Sequence, residues 1–378
     1  MVDFDLTEEQ QAFRDLARDF VRQEILPRAR QADETGEFPM EVLRRAHQAG
    51  LLNLEVPEEY GGAGLGAFEV ALIAEEMGAG CAGIATSLLG NGLALLPILL
   101  FGTAEQKERF LPSFCAEPRL AAFCLTEPGA GSDASAVSTT ARREGEEYIL
   151  DGVKTFITNG GLASLYTVIA STDRSRGARG LSAFVVPAGT PGLSTGKKER
   201  KMGQRASDTR EVIFEGVRIP AKNRLGKEGE GFRILVETLN RARVGVAAIG
   251  VGLARAAFEA ARDYARQRVQ FGRPIASHQA IQLMLADMAI GVESARLLTW
   301  RAARAYDRGE AEAERLSAMA KCFASDVAMR VTTDAVQIFG GYGYMQDYPV
   351  EKYMRDAKLL QIYEGTNQIQ RLMIARRM

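Results

Sequence analysis

Histidine is nearly absent: His47 and His278 are the only two in 378 residues. That scarcity argues against a histidine-based triad and against a metal centre built on several imidazoles. Cysteine is also sparse. Cys81, Cys115, Cys124 and Cys322 are scattered, with no C-x-x-C pair, which speaks against a disulfide scaffold or structural zinc and suits reduced thiols in a cytosol-like compartment. Neither charge sign is in excess, with 47 Lys plus Arg against 48 Asp plus Glu. Nothing therefore points to nucleic acid or an acidic membrane surface as the main partner. The most apolar run, 93–101, is far shorter than the roughly 20 residues of a membrane span and contains Pro97. The first ten residues are polar and acidic, unlike a signal or transit peptide. These absences lead us to expect a cytoplasmic protein with no metal, no nucleic acid and no membrane insertion.

What is present falls into three stretches. Residues 1–118 read as helices: Thr7 with Gln10 and Thr103 with Gln106 are capping boxes, and Phe13, Leu16, Ala17, Phe20 and Val21 recur at helical spacing. Pro39 opens a further helix that Gly50 closes, 61–66 is a loop, and 70–77 and 88–101 read as buried helices. Residues 119–228 hold short apolar runs at 120–125, 148–150, 165–170, 181–186 and 212–214, with Asp151-Gly152 as a hairpin turn. From 229 to 378 the pattern is helical again, with Ala-rich segments at 244–268, 278–306 and 311–339 that suit a closely packed bundle. This order does not fit an all-parallel α/β fold.

Several segments are candidates for chemistry. Gly62, Gly64 and Ala67 match G-x-G-x-x-A, but no convincing strand precedes them, so a glycine-rich helix connection is the better reading. Thr126-Glu127-Pro128-Gly129-Ala130-Gly131-Ser132-Asp133 follows a β run and offers hydroxyls and close backbone approach to a planar or phosphorylated ligand. Phe156-Ile157-Thr158-Asn159-Gly160-Gly161 is a second such loop, and two in one sheet favour a shared ligand. Arg268, Phe271, Gly272 and Arg273 follow one long helix, and Gln337-Ile338-Phe339-Gly340-Gly341 ends another; by themselves both read as helix termini. A lone Glu364 in Tyr363-Glu364-Gly365-Thr366 would ordinarily be a solvated charge.

Together these segments resemble the acyl-CoA dehydrogenase family, from Phe4-Asp5-Leu6-Thr7-Glu8-Glu9-Gln10 to Arg371. The most specific pieces are 125–133, 337–341 and 362–366. Within the family the likeness is closest to the medium-chain enzymes, through 202–210 and 363–371. The resemblance implies an α+β multidomain fold: a helical N-terminal domain (1–118), a β-barrel middle domain (119–228) and a C-terminal four-helix bundle (229–378), assembled as a homotetramer, a dimer of dimers. It implies FAD, lined by Phe123, Leu125, Thr126, Gly131, Ser132, Phe156, Ile157 and Thr158, with Thr158 near flavin N5. Phe156 stands where many members have Trp, and its aromatic face is retained. Arg268, Phe271, Gln337, Ile338, Gly340 and Gly341 would touch a neighbouring subunit's FAD, and Thr366 and Gln368 would complete the flavin site. Ser132, Asn240, Arg243, Tyr363 and Gly365 fall at acyl-CoA contact positions.

The implied reaction is α,β-desaturation of an acyl-CoA, with Glu364 removing the α proton, a hydride passing to flavin N5, and an electron-transferring flavoprotein as acceptor. A carboxylate at its usual pKa of about 4.3 is too weak a base for this, so Glu364 must be buried; apolar Leu359, Leu360, Ile362 and Ile369 flank it. Isovaleryl and long-chain types carry the base on another helix, at the position of Ala242 here, so Glu364 is the one base available. The expected substrate is a medium-length straight-chain acyl-CoA, its tail lined by 84–100. Arg174, Arg176 and Arg179 would hold the CoA 3′-phosphate. An oxygen-using acyl-CoA oxidase, or a silent CoA-binding protein on the same fold, is the alternative.

Overall fold

The computed structural model describes residues 5–378, so Phe4 of the N-terminal motif lies outside the described residues. Both capping boxes form. Each threonine hydroxyl accepts from the amide three residues on, and the glutamine there accepts from the threonine amide, at 2.9–3.2 Å. These bonds satisfy amides that the first turn leaves free. The helices of the first stretch are α1 (Glu8–Phe20), α2 (Leu26–Thr35), α3 (Met40–Gln48), α4 (Ala67–Gly80), α5 (Ala82–Phe101), α6 (Ala104–Phe110) and α7 (Pro112–Ala116). Pro39 precedes α3, and Gly50 follows it at φ +70°.

Eight strands come next: β1 (Leu120–Cys124), β2 (Thr140–Glu144), β3 (Glu147–Thr158), β4 (Ala163–Ser171), β5 (Leu181–Pro187), β6 (Leu193–Lys198), β7 (Thr209–Pro220) and β8 (Arg224–Leu225). They form one sheet in the order β6-β7-β3-β2-β4-β5-β8, with β1 parallel to β4. Asp151-Gly152 is not the hairpin turn. The pairing of Glu144 with Glu147 puts the tight turn at Gly145-Glu146, where Gly145 has φ +58°. Gly152 instead lies inside β3 at an irregularity in its pairing with β7. A Cβ there would come within 2.5 Å of the Thr139 hydroxyl, so glycine serves close strand approach rather than a turn.

The last stretch holds α8 (Gly231–Gln267), α9 (Gln279–Asp307), α10 (Ala313–Phe339), α11 (Val350–Leu360) and α12 (Asn367–Ala375), with a small hairpin of β9 (Val269–Gln270) and β10 (Arg273–Pro274) after α8. Helix α8 begins well before the Ala-rich segment that announced it. It crosses α4 at nearly bare backbone: a Cβ on Gly252 would lie 1.9 Å from the Glu75 carbonyl, and one on Gly78 2.6 Å from that of Ile249. Helices α5 and α8 are long and apolar enough to cross a membrane, but 56% and 67% of their apolar windows are buried inside the protein. That burial is the position of core helices, and it puts α5 between the sheet and the bundle.

Candidate functional site

The 126–133 loop leaves β1 and is held from beneath by a buried ion pair. Lys154 Nζ donates to the Leu125 carbonyl at 2.9 Å and to Glu127 Oε1 at 2.7 Å. Glu127 also accepts from the Ser138 amide and hydroxyl and from the Thr139 amide, at 2.6–2.9 Å. Burial opposes ionisation of Glu127, but the Lys154 charge and these donors outweigh it and hold the carboxyl at about 2. Above the pair the loop is open: a Cβ on Gly129 or Gly131 would meet nothing within 4 Å, and Gly131 and Ser132 are exposed. The Thr126 carbonyl accepts from the Thr155 amide at 2.8 Å, which brings the second loop alongside. There the β3 register breaks, and Phe156 takes φ +58° with 65% of its surface exposed. Phe123, Leu125, Thr126 and Thr158 are half-buried, whereas the Ile157 side chain is buried in the sheet, leaving only its backbone for a ligand.

Helix α5 joins this surface to the Glu364 segment. A Cβ on Gly90 would lie 3.4 Å from Thr158 Cγ2. One turn earlier the Thr86 hydroxyl is 3.3 Å from the Tyr363 hydroxyl. Thr158 and Tyr363 thus meet one helix face at points about 6 Å apart along the axis. On that face Thr86, Leu89, Gly90 and Leu93 form a half-open stripe, while Ile84, Leu88, Leu95, Leu96 and Ile98 are buried in the core. Of the segment 84–100 expected to line a tail, one side of the helix is half-open and the rest is buried.

Glu364 itself is in the left-handed region at φ +51°, followed by Gly365 at +93°. Its carbonyl accepts from Arg243 Nε at 2.9 Å and Gln370 Nε2 at 3.2 Å. The Gly365 carbonyl accepts from Gln370 Nε2 at 3.1 Å and Lys321 Nζ at 2.7 Å. Arg243 in turn donates to Asn240 Oδ1 at 2.5 Å. The residue as a whole is half-buried, yet Oε2 is fully enclosed and has no hydrogen-bond partner. Burial raises the carboxyl to about 7, against the opposing charges of Arg243 and Lys321. Of the flanking apolar residues, Leu360 is buried and Leu359 and Ile369 half-buried, whereas Ile362 is 49% exposed; α8 and α10 supply the two opposing cations. Ala242 is half-buried beside Arg243 on α8. Thr366 spends its hydroxyl as the N-cap of α12, accepting from the Ile369 amide at 3.3 Å, and Gln368 is exposed.

The remaining expected residues gather at the other end of α10. The Arg268 guanidinium lies over the Tyr342 ring at 5.4 Å, and Tyr264 stacks on Phe339 at 4.0 Å. Phe271 is 93% exposed at φ +52°. Gln337, Gly340 and Gly341 are exposed, but the Ile338 side chain is buried. From Lys321 to Phe339 is roughly 27 Å along the helix, so this cluster does not share a pocket with Glu364 in one chain.

Sequence reading had no hold on Lys321, Gln370, Thr86, Lys154 or Glu127's partner role. Each sits among residues of ordinary helix or strand type, and only their contacts mark them. At 62–67 the helix connection holds: the Ala67 and Phe68 amides donate to the Asp307 carboxylate at 2.6 and 3.0 Å, so a side chain occupies the place a phosphate would need. Among the described residues no group of three or more His, Cys, Asp or Glu is placed to hold a metal ion.

The sequence matches three family profiles: "Acyl-CoA dehydrogenase, N-terminal domain" over 7–118, the middle domain over 122–217 and the C-terminal domain over 229–378. It is 47% identical over 372 residues to the mitochondrial short-chain specific acyl-CoA dehydrogenase of Rattus norvegicus, covering 98% of this chain and 90% of that one. Among solved structures, butyryl-CoA dehydrogenase from Megasphaera elsdenii superposes with a TM-score of 0.97 at 45% identity, over 100% and 99% of the two chains. A chain from work on the electron transferring flavoprotein of Acidaminococcus fermentans and flavin-based electron bifurcation gives 0.97 at 48% identity, again over 100% and 99%.

Proposed function

The chain belongs to the acyl-CoA dehydrogenase family, and we propose that it dehydrogenates straight-chain acyl-CoA thioesters with Glu364 as the base. Dehydrogenation of an acyl-CoA is the family's activity, and FAD is the cofactor. The observation that carries the assignment of the base is the carboxyl of Glu364: enclosed, without a partner at Oε2, and raised to about 7. A base with that acidity is matched to proton transfer near neutral pH. The residues fit the cofactor, with an open cradle at Gly129 and Gly131, the outward ring of Phe156, and Thr158 facing α5. When bound, FAD supplies the hydride acceptor.

The chain's own part is proton removal and positioning. Glu364 takes the α proton. Among the described residues its backbone N–H donates to no protein acceptor, leaving it free for the thioester oxygen as charge develops there. One such donor is worth roughly 3–4 kcal/mol. Tyr363, tied to Thr86, closes the α5 side, and the half-open stripe on α5 offers the tail an apolar wall.

A medium-length tail was the expectation from sequence. The names of the relatives, short-chain and butyryl-CoA dehydrogenase, favour a shorter one, and the range from butyryl to octanoyl is the one to measure. An electron-transferring flavoprotein is the proposed acceptor, in keeping with the Acidaminococcus relative. A homotetramer is proposed because Leu283, Ile290 and Leu297 stand 60%, 63% and 37% exposed at seven-residue intervals on α9, and Phe271 is nearly bare; a second copy would cover such faces. Four free cysteines support a cytoplasmic location.

The test is anaerobic addition of butyryl-CoA and octanoyl-CoA to the yellow protein, followed by kcat/KM with each. Bleaching of the flavin absorbance is expected, and a holoprotein that stays yellow with every acyl-CoA in the series would overturn the reading.

A further inference from the structure

Lys321 lies fully buried on α10, a helix that the sequence marks only as Ala-rich. Among the described residues no carboxylate comes within ion-pair distance of it. Its ammonium is spent on oxygen dipoles instead: the Gly365 carbonyl at 2.7 Å and Asn367 Oδ1 at 3.2 Å. Removing a lysine charge from water is expensive, and burial pushes this one down to about 8. A buried cation without a paired anion, bonded to the peptide that follows the base, needs a purpose beyond packing.

That peptide is the strained one. Glu364 is a non-glycine residue at φ +51°, a conformation of order 1–3 kcal/mol above the usual regions that persists only where its surroundings impose it. Three donors impose it here: Arg243 from α8 and Gln370 from α12 on the Glu364 carbonyl, Gln370 and Lys321 on the next. Arg243 and Gln370 act on the Glu364 carbonyl directly. Lys321 ties the Gly365 carbonyl to α10, and Asn367 adds bonds to Ser325 and Asp326 of the same helix.

We propose that Lys321 is a positioning residue for Glu364, holding the Glu364–Gly365 backbone in its left-handed turn while its charge keeps the base ionisable. This rests on the reading of Glu364 as base. The charged and titratable groups around the pair are Arg243 on α8, Tyr306 on α9, Glu314, Cys322 and Asp326 on α10, Tyr363 on the segment itself, and Arg377 near the C-terminus. Arg243 and Lys321 are the two that favour the ionised carboxylate directly. Loss of Lys321 must therefore make Glu364 a weaker acid as well as a less well aimed base.

The experiment compares holoenzymes carrying Lys321→Met, Lys321→Gln and Glu364→Gln with the unaltered protein, by flavin content, kcat and the pH profile of kcat/KM. Lys321→Met removes donor and charge. A fall in kcat on the order of 100-fold is expected, the effect of about 1 Å of misplacement, with the acid limb of kcat/KM moved to higher pH. Lys321→Gln keeps a donor for the Gly365 carbonyl but no charge; it should recover part of kcat and keep the shifted limb. A yellow, folded Lys321→Met with unaltered kcat and acid limb overturns the proposal. If Lys321→Met does not fold, an unaltered acid limb in Lys321→Gln overturns it. Substantial turnover in Glu364→Gln would instead remove the base assignment, so the two failures are told apart.

Discussion

Replacing Glu364 by Gln should abolish turnover and, above neutral pH, make the protein more stable. The carboxyl is raised from 4.5 to about 7, chiefly by burial and in spite of the neighbouring Arg243 and Lys321 charges. A carboxyl whose folded pKa is raised holds its proton more tightly in the native state. Its favourable contribution is complete below about 4.5 and is lost as pH rises to about 7. Above that the loss is complete and amounts to at most about 3.5 kcal/mol, at roughly 1.4 kcal/mol per pKa unit; the partial openness of the residue makes this an upper bound. Glutamine keeps the shape without the charge. At pH 8 the holoprotein of Glu364→Gln should melt a few degrees higher than the unaltered one, given about 2–4 °C per kcal/mol for somewhat smaller proteins. At pH 4, below the unfolded pKa, the two should melt nearly together. The parallel kinetic expectation is an acid limb of kcat/KM near pH 7, with about one-tenth of the activity left at pH 6. Melting curves read by flavin fluorescence at both pH values, together with turnover, decide the matter. A Tm difference that does not vary with pH, or an acid limb near 4.5, would show that the carboxyl is not buried as the structure has it.

Three further outcomes can be checked. Glu364→Gly with Ala242→Glu should regain part of the activity lost in Glu364→Gly alone, because Ala242 is half-buried beside the Arg243 that bonds the Glu364 carbonyl; a folded, yellow double variant no faster than the single one would place Ala242 away from the substrate. Arg174, Arg176 and Arg179 are exposed, and Arg174 donates to the Ser138 carbonyl next to the Glu127 loop. Changing all three to Gln should raise KM for acyl-CoA at low salt with little effect on kcat, and an unchanged KM would end their assignment to the CoA phosphate. Gly252→Ala should destabilise by more than 2 kcal/mol in thermal or urea unfolding, since the added carbon meets the Glu75 carbonyl at 1.9 Å and overpacking of this kind costs about 1–3 kcal/mol or more; near-native stability would mean that α4 and α8 part easily.

The one-dimensional signals were the local ones. Capping boxes, the Pro39 and Gly50 boundaries, the alternation of helical and β grammar and the motif at 125–133 depend on neighbours within a few residues, so they survive in a sequence read alone. Glycine was less transparent. Asp151-Gly152 reads as a turn, yet Gly152 sits inside a strand at φ +152° with Thr139 of another segment against it, and Gly252 is there because α4 lies against it. A sequence carries no mark distinguishing a glycine needed for φ from one needed for room.

For the site, residue identity was legible and its chemistry was not. Glu364 stood out through the motif around it, and the scarcity of histidine and cysteine removed the competing machinery. Its acidity depends on what the fold brings to it: burial of the carboxyl, two cations from helices 43 and 121 residues away, and a left-handed backbone held by three side chains. Desolvation and Coulomb interaction depend on distance in space and on exclusion of water, and neither can be read from the order of residues. Of the flanking apolar side chains that suggested burial, Leu360 is buried and Ile362 faces outward, a division the sequence does not mark. Composition and local pattern determined which elements form and which family they serve; only their packing decided which lysine is buried beside Glu364.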